Sequence, residues 1–189
     1  MQDAPSDNTL LVRQQLELAM DHHQAGRLPA ADRHYARVLE LQPDHLQAVR
    51  LRGVLARTRG RLQQSLQLLT TAVALAPDHA QVHAELGMTH LASGDLHHAE
   101  HSLRRAQVLN PNAINILTNL GALLHHRGHV RAALELYRQV LAQDPAEFEV
   151  RCNFIKALAD AGDTDAALRE AEAAVAAAGG ERGTLAAKG

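Results

Sequence analysis

An all-α fold, a solenoid of stacked antiparallel helix pairs in about five repeats, is what the sequence predicts. Three observations predict it. Apolar residues recur with a helical period: Leu117, Leu120, Gly121 and Leu124 fall at i, i+3, i+4 and i+7, and Ala133, Tyr137, Val140 and Leu141 mark the face of a second helix. Helix-ending residues recur with a longer period: Pro43, Pro77, Pro111 and Pro145 are each 34 residues apart, as are Gly26, Gly60, Gly94, Gly128 and Gly162. Small residues keep fixed slots on the same period: Gly53, Gly87 and Gly121 in one helix, and Ala31, Ser65, Ala99, Ala133 and Ala167 in the other. A helix pair with one apolar face cannot bury that face alone, so repetition at this length implies stacking on copies of itself.

The elements follow in order. A loose leader is expected over residues 1–10, with Pro5 and small polar residues, and Asn8 or Thr9 placed to cap the first helix. The solenoid is expected over 11–179, with repeats at 12–45, 46–79, 80–113, 114–147 and 148–181. Within each repeat the glycine ends the first helix by taking a positive φ. The proline ends the second, because it lacks an N–H and disfavours helix in the residue before it. Repeat 5 carries Gly179 in the proline slot, which is expected to stop that helix too. Residues 180–189 then read as a partial sixth repeat or a weak capping helix, with Leu185 and Gly189 in register. RGTLAAKG is a poor polar cap, so a fragment of a longer protein is the sharper expectation.

Composition narrows the function. Nineteen basic against 21 acidic side chains give a net charge of −2, and aromatic residues are only 2%. That is no basis for bulk nucleic-acid or anionic-membrane binding, or for a base-stacking surface. One cysteine, Cys152, excludes an intrachain disulfide framework. The N-terminus lacks the basic flank and apolar run of a signal peptide, and no apolar run reaches membrane-spanning length, so a cytoplasmic protein is expected.

With these ladders the chain resembles the tetratricopeptide repeat (TPR) family, over roughly residues 12–178. The resemblance implies a right-handed solenoid whose first helices line a concave groove that recognises a peptide or protein segment. It departs from the family at two aromatic slots. Position 4 of each repeat holds Gln15, Val49, His83, Leu117 and Arg151, and position 11 holds His22, Ala56, His90, Leu124 and Leu158. Packing is therefore expected to rest on Leu, Ala and Val.

Positions 2, 5, 9 and 12 share the face opposite the buried positions. The resemblance nominates Arg13, Leu16, Met20 and His23 in repeat 1, and Gln47, Arg50, Val54 and Arg57 in repeat 2. It nominates Gln81, Ala84, Met88 and Leu91 in repeat 3, Asn115, Thr118, Ala122 and His125 in repeat 4, and Glu149, Cys152, Lys156 and Ala159 in repeat 5. Met20, Val54, Met88 and Ala122 make position 9 apolar four times running, and methionine adapts to varied side chains. Arg50 and Arg57 add cationic character, so the expected partner is an extended or helical peptide with apolar and some acidic side chains. The alternative use of the same residues is packing against a neighbouring helix. Asn119 and Asn153 share position 6 and look like a two-rung version of the asparagine ladder in O-linked N-acetylglucosamine transferase TPR arrays, where amides bond a peptide backbone. The family's carboxylate clamp is not expected, since Leu16 and Met20 fill its slots.

One enzyme-like pattern stands out. His97-His98-Ala99-Glu100-His101 matches H-x-x-E-H, with His97 and His101 as weak zinc-ligand candidates. The register places Ala99 inward and both histidines outward, which argues against a peptidase. Other histidines gather where first helices end: His22, His23, His90, His125 and His126, with His129 just beyond. Surface solubility accounts for them, though thirteen histidines could add thirteen positive charges in acid and make partner binding pH-sensitive. No phosphate loop, nucleophile elbow or C-x-x-C occurs.

The reading is a non-enzymatic protein–protein interaction scaffold, without cofactor, that binds a peptide or protein segment in its groove. The alternative is the recognition array of a larger transferase, of glycosyltransferase or sulfotransferase type, whose catalytic domain lies elsewhere. A zinc peptidase at the HHAEH stretch ranks last. An unfinished solenoid end also offers a surface on which a second copy could pair.

Overall fold

In the computed structural model, residues 7–186 are described, and they form ten α-helices with no strand among them. The first helices are α1 (Asp7–Gln24), α3 (Leu46–Thr58), α5 (Ala80–Ala92), α7 (Ile114–His126) and α9 (Phe148–Asp160). The second helices are α2 (Leu28–Leu41), α4 (Leu62–Leu75), α6 (Leu96–Leu109), α8 (Val130–Gln143) and α10 (Thr164–Ala186).

Each pair is joined by the same turn. Gly26, Gly60, Gly94, Gly128 and Gly162 take φ between 69° and 83°, and no other described residue has a positive φ. The turn at Gly26 shows why. The Gly26 N–H bonds the His23 carbonyl at 3.0 Å, and the Arg27 N–H reaches back to the His22 carbonyl at 2.8 Å. These are the paired bonds of a Schellman cap, which satisfy the last carbonyls of the helix only if the intervening residue is left-handed. The equivalent pair recurs at the other four turns.

The chain divides into two compact units, one ending at Leu109 and the other starting at Asn110. In the first unit, Val12, Ala19, Ala31, Tyr35, Val38, Ala48 and Leu55 form one core cluster across α1, α2 and α3. Asp32 of α2 bonds Arg52 Nε at 2.9 Å and Arg59 Nη1 at 3.2 Å, tying successive repeats together. Ser65 and Thr89 are buried polar residues that satisfy each other, hydroxyl to hydroxyl at 3.1 Å. In the second unit, Ile116, Leu117, Leu120, Tyr137, Val140, Val150 and Ala157 are buried on α7, α8 and α9.

The aromatic slots empty at positions 4 and 11 are not the whole account of the core. Tyr35 and Tyr137, three repeats apart on second helices, are completely buried. Gly121 makes room for the second of them: a Cβ there would lie 2.7 Å from Tyr137 Cε1. Gly53 and Gly87 do the same for Leu69 and Leu103.

Two boundaries differ from those expected. Helix α1 begins at Asp7, inside the 1–10 leader, so Asn8 and Thr9 lie within the helix rather than capping it. Residues 1–6 lie outside those described. Helix α10 runs through Gly179 and Gly180 to Ala186 without the expected stop, so no helix break separates 180–186 from repeat 5. Glycine permits a left-handed stop but does not impose one. In a helix interior it costs only about 1 kcal/mol relative to alanine, whereas proline costs about 3. On α10, Leu168 and Val175, seven residues apart, are 59% and 73% exposed.

Candidate interaction faces and a histidine cluster

The nominated groove residues fall in both units. In the first unit, Met20 and Leu16 are half-buried and pack against the core around Tyr35. Gln47 Nε2 lies 3.3 Å from the Met20 sulfur. Met20, His23, Gln24, Tyr35 and Leu51 line a shallow, mostly apolar depression of about 240 Å³. At its edge His23 Nδ1 and the Tyr35 hydroxyl share a hydrogen bond of 3.3 Å, and burial pushes the His23 imidazole below its ordinary pKa. Val54 and Met88 are half-buried, whereas Ala84 is only 2% exposed and belongs to the core.

The cationic character expected in this unit is smaller than the sequence suggests. Arg50 Nη1 donates to Glu85 Oε1, with only 21% and 10% of the two side chains exposed. Gln81 Nε2 donates to the same oxygen at 3.2 Å. Burial raises the Glu85 pKa, and the Arg50 guanidinium opposes the rise without cancelling it. A guanidinium and carboxylate held this close neutralise each other toward a ligand, so Arg50 is an inter-repeat tie. Arg13 pairs with Glu17 at 3.0 Å on the exposed face. Arg57 remains partly exposed, with its Nε buried and without a hydrogen-bond partner.

In the second unit, four nominated residues meet. Ala122 and His125 of α7 and Asn153 and Lys156 of α9 line one cavity of about 340 Å³, together with His126, Tyr137 and Asp160. His125 Nε2 sits 2.8 Å from Asp160 Oδ2, which fixes the imidazole at the rim. Tyr137 forms part of the wall, and its hydroxyl is buried without a partner; burial pushes its pKa up to about 12. Asn119 is half-buried and Asn115 exposed, and neither lines the cavity. Lysine and asparagine supply donors there, asparagine also accepts, and the alanine leaves room for a side chain. His126, Tyr137 and Asp160 were not nominated from sequence. Tyr137 had a signal, since its bulk sits against the helix-interior Gly121.

The histidines also sort differently. His97 and His101 are exposed and do not converge on a third ligand. Among the described residues, the group of three or more such side chains whose ligand atoms do converge is His90, Asp95 and His98. Asp95 precedes α6 and accepts the His98 backbone N–H on Oδ1 at 3.1 Å, the bond that chiefly holds its carboxyl below the usual range. Its Oδ2 lies 2.7 Å from His98 Nδ1 and 3.8 Å from His90 Nδ1. Burial lowers the His90 pKa, against the pull of Asp95.

The family profile of the tetratricopeptide repeat matches residues 16–80 and 84–151. The chain belongs to the tetratricopeptide repeat family. Its fold agrees with solved TPR-like structures. One MamA crystal structure is 21% identical, with a TM-score of 0.76 over 91% of this chain and 98% of that one. YrrB, described as a TPR protein with an unusual peptide-binding site, is 20% identical, with a TM-score of 0.71 over 91% and 92%. An O-GlcNAc transferase mutant from Thermobaculum terrenum is 28% identical, with a TM-score of 0.70, over 74% of this chain but only 27% of that protein. Comparison with curated protein sequences finds no match. No described helix of this TPR chain is long and apolar enough to cross a membrane.

Proposed function

We propose that this TPR chain is a non-enzymatic interaction scaffold that binds a peptide or protein segment on the exposed faces of its first helices. The observation that carries the reading is the cavity of the second unit. There Ala122, His125, Asn153 and Lys156, nominated from two consecutive repeats, face one volume large enough for an amino-acid side chain and its flanking backbone. Lys156 and Asn153 suit an acidic side chain or a backbone carbonyl, and Ala122 suits an apolar neighbour. In the first unit the apolar depression beside Met20 and Tyr35 offers a second, weaker foothold. Similarity to YrrB, itself described by its peptide-binding site, supports a peptide as the partner class.

The test is fluorescence polarisation with a library of labelled peptides that combine Leu or Met with Asp or Glu. Peptides that bind wild-type protein should lose about tenfold or more in affinity to K156A/N153A, at about 1.5 kcal/mol per charge-assisted hydrogen bond. Undiminished affinity in that variant would remove the cavity from the account.

A second reading has one specific support. The resemblance in fold and sequence to the Thermobaculum O-GlcNAc transferase fits a substrate-recognition array belonging to a larger transferase. The chain spans about a quarter of that protein, so this reading concerns recognition alone. Copurification with a transferase domain, encoded in the same or an adjacent reading frame, distinguishes it from a free-standing scaffold.

A further inference from the structure

We propose that His90, Asp95 and His98 form a binding site for a zinc-like divalent cation at the turn between α5 and α6. The three ligand atoms lie within 4.8 Å of one another. Four-coordinate zinc holds nitrogen and oxygen at about 2.0–2.1 Å, so ligand atoms on one ion stand about 3.3 Å apart. The two distances to Asp95 Oδ2, 2.7 Å to His98 Nδ1 and 3.8 Å to His90 Nδ1, straddle that spacing. The two imidazoles are held only within 4.8 Å of each other, so rotamer adjustments of up to about 1.5 Å bring both nitrogens onto one ion.

Two further observations point to a ligand. His90 Nδ1 is buried and has no hydrogen-bond partner, an orphaned lone pair or N–H that a cation on Nδ1 would satisfy. Asp95 divides its carboxylate: Oδ1 caps α6 through the His98 N–H and holds the side chain in place, while Oδ2 shares a 2.7 Å hydrogen bond with His98 Nδ1 that an ion would replace, displacing the imidazole proton. Imidazole and carboxylate together suit Zn²⁺ among biological cations, with water or a partner's side chain in the fourth position. The ion would clip the end of α5 to the start of α6.

The experiment is calorimetric titration of Zn²⁺ into full-length, tag-free protein stripped with a chelator, with Co²⁺ absorption as a second readout of four-coordinate geometry. The expected result is one equivalent bound more tightly than about 10 µM. H98A should weaken binding by tenfold or more, since losing even a supporting neighbour of a ligand costs about 10–100-fold. His98 is largely exposed, so this variant keeps its helicity by circular dichroism. D95N retains the capping oxygen and should weaken binding comparably. H97A/H101A should bind as wild type. Wild-type binding weaker than about 10 µM, a loss under tenfold in H98A, or an equal loss in H97A/H101A overturns the site.

Discussion

Tyr35 and Tyr137 occupy the same repeat position and are equally buried, yet removing their hydroxyls should move stability in opposite directions. The Tyr137 hydroxyl lies in the interior without a partner. A buried polar group left unsatisfied costs about 1–3 kcal/mol, and the phenylalanine ring keeps every apolar contact. Y137F should therefore gain about 1 kcal/mol, which for a chain of this length raises Tm by about 2–4 °C. The Tyr35 hydroxyl instead bonds His23 Nδ1 at 3.3 Å. Y35F deletes that bond and orphans a part-buried imidazole nitrogen, a loss of about 1 kcal/mol. The two variants should differ by about 2 kcal/mol in urea unfolding followed by circular dichroism, with unchanged m-values. Equal losses in both, or a loss in Y137F alone, would refute the hydrogen-bond assignment on which this reasoning rests.

Other outcomes follow from the same structure. G128A places a side chain at φ 79° with no atom within 4 Å of its Cβ, so its cost of about 1–2 kcal/mol is purely conformational, and thermal unfolding should show it without any change in peptide binding. G121A gains about 1 kcal/mol of helix propensity but drives a Cβ into the Tyr137 ring, costing about 1–3, so a net loss is expected in the same assay. Burial holds the His23 and His34 imidazoles below 6.5, so the unfolded chain binds more protons just below that pH. Their contribution is fully present above pH 6.5 and lost as pH falls toward their folded pKa values; H23Q/H34Q should flatten that acid-side decline in urea titrations. Pairing of copies through the exposed Leu168 and Val175 of α10 predicts a dimer mass by light scattering that L168E/V175E returns to monomer. A monomeric wild type would contradict it.

The fold was legible because its signals are local and repeated. A glycine every 34 residues meets a turn that only a left-handed residue closes, and the helix ends Leu41, Leu75, Leu109 and Gln143 fall on the same interval. The differences have separate causes. Gly179 in the proline slot suggests a stop, but a glycine does nothing to the helix unless the chain turns there. Arg50 adds cationic character in sequence because Glu85 lies a whole repeat away, and only stacking brings the two together. Met20 faces the expected side yet leans on the Tyr35 core, since one helical face can serve two purposes. Similarly, the H-x-x-E-H pattern drew the eye to His97 and His101, while His90, Asp95 and His98 converge across a turn that no linear motif describes. The cavity of the second unit is half legible: Ala122, His125, Asn153 and Lys156 follow from repeat position, but His126, Tyr137 and Asp160 depend on how the helices pack.

The claim that first-helix faces capture the partner is tested most directly by amide chemical-shift mapping with a peptide that binds in the polarisation screen. The account predicts the largest shifts at Ala122, His125, Asn153 and Lys156 in the second unit, with smaller ones beside Met20 and His23 in the first. Shifts confined to α10, or to the second helices α2, α4, α6 and α8, would contradict it.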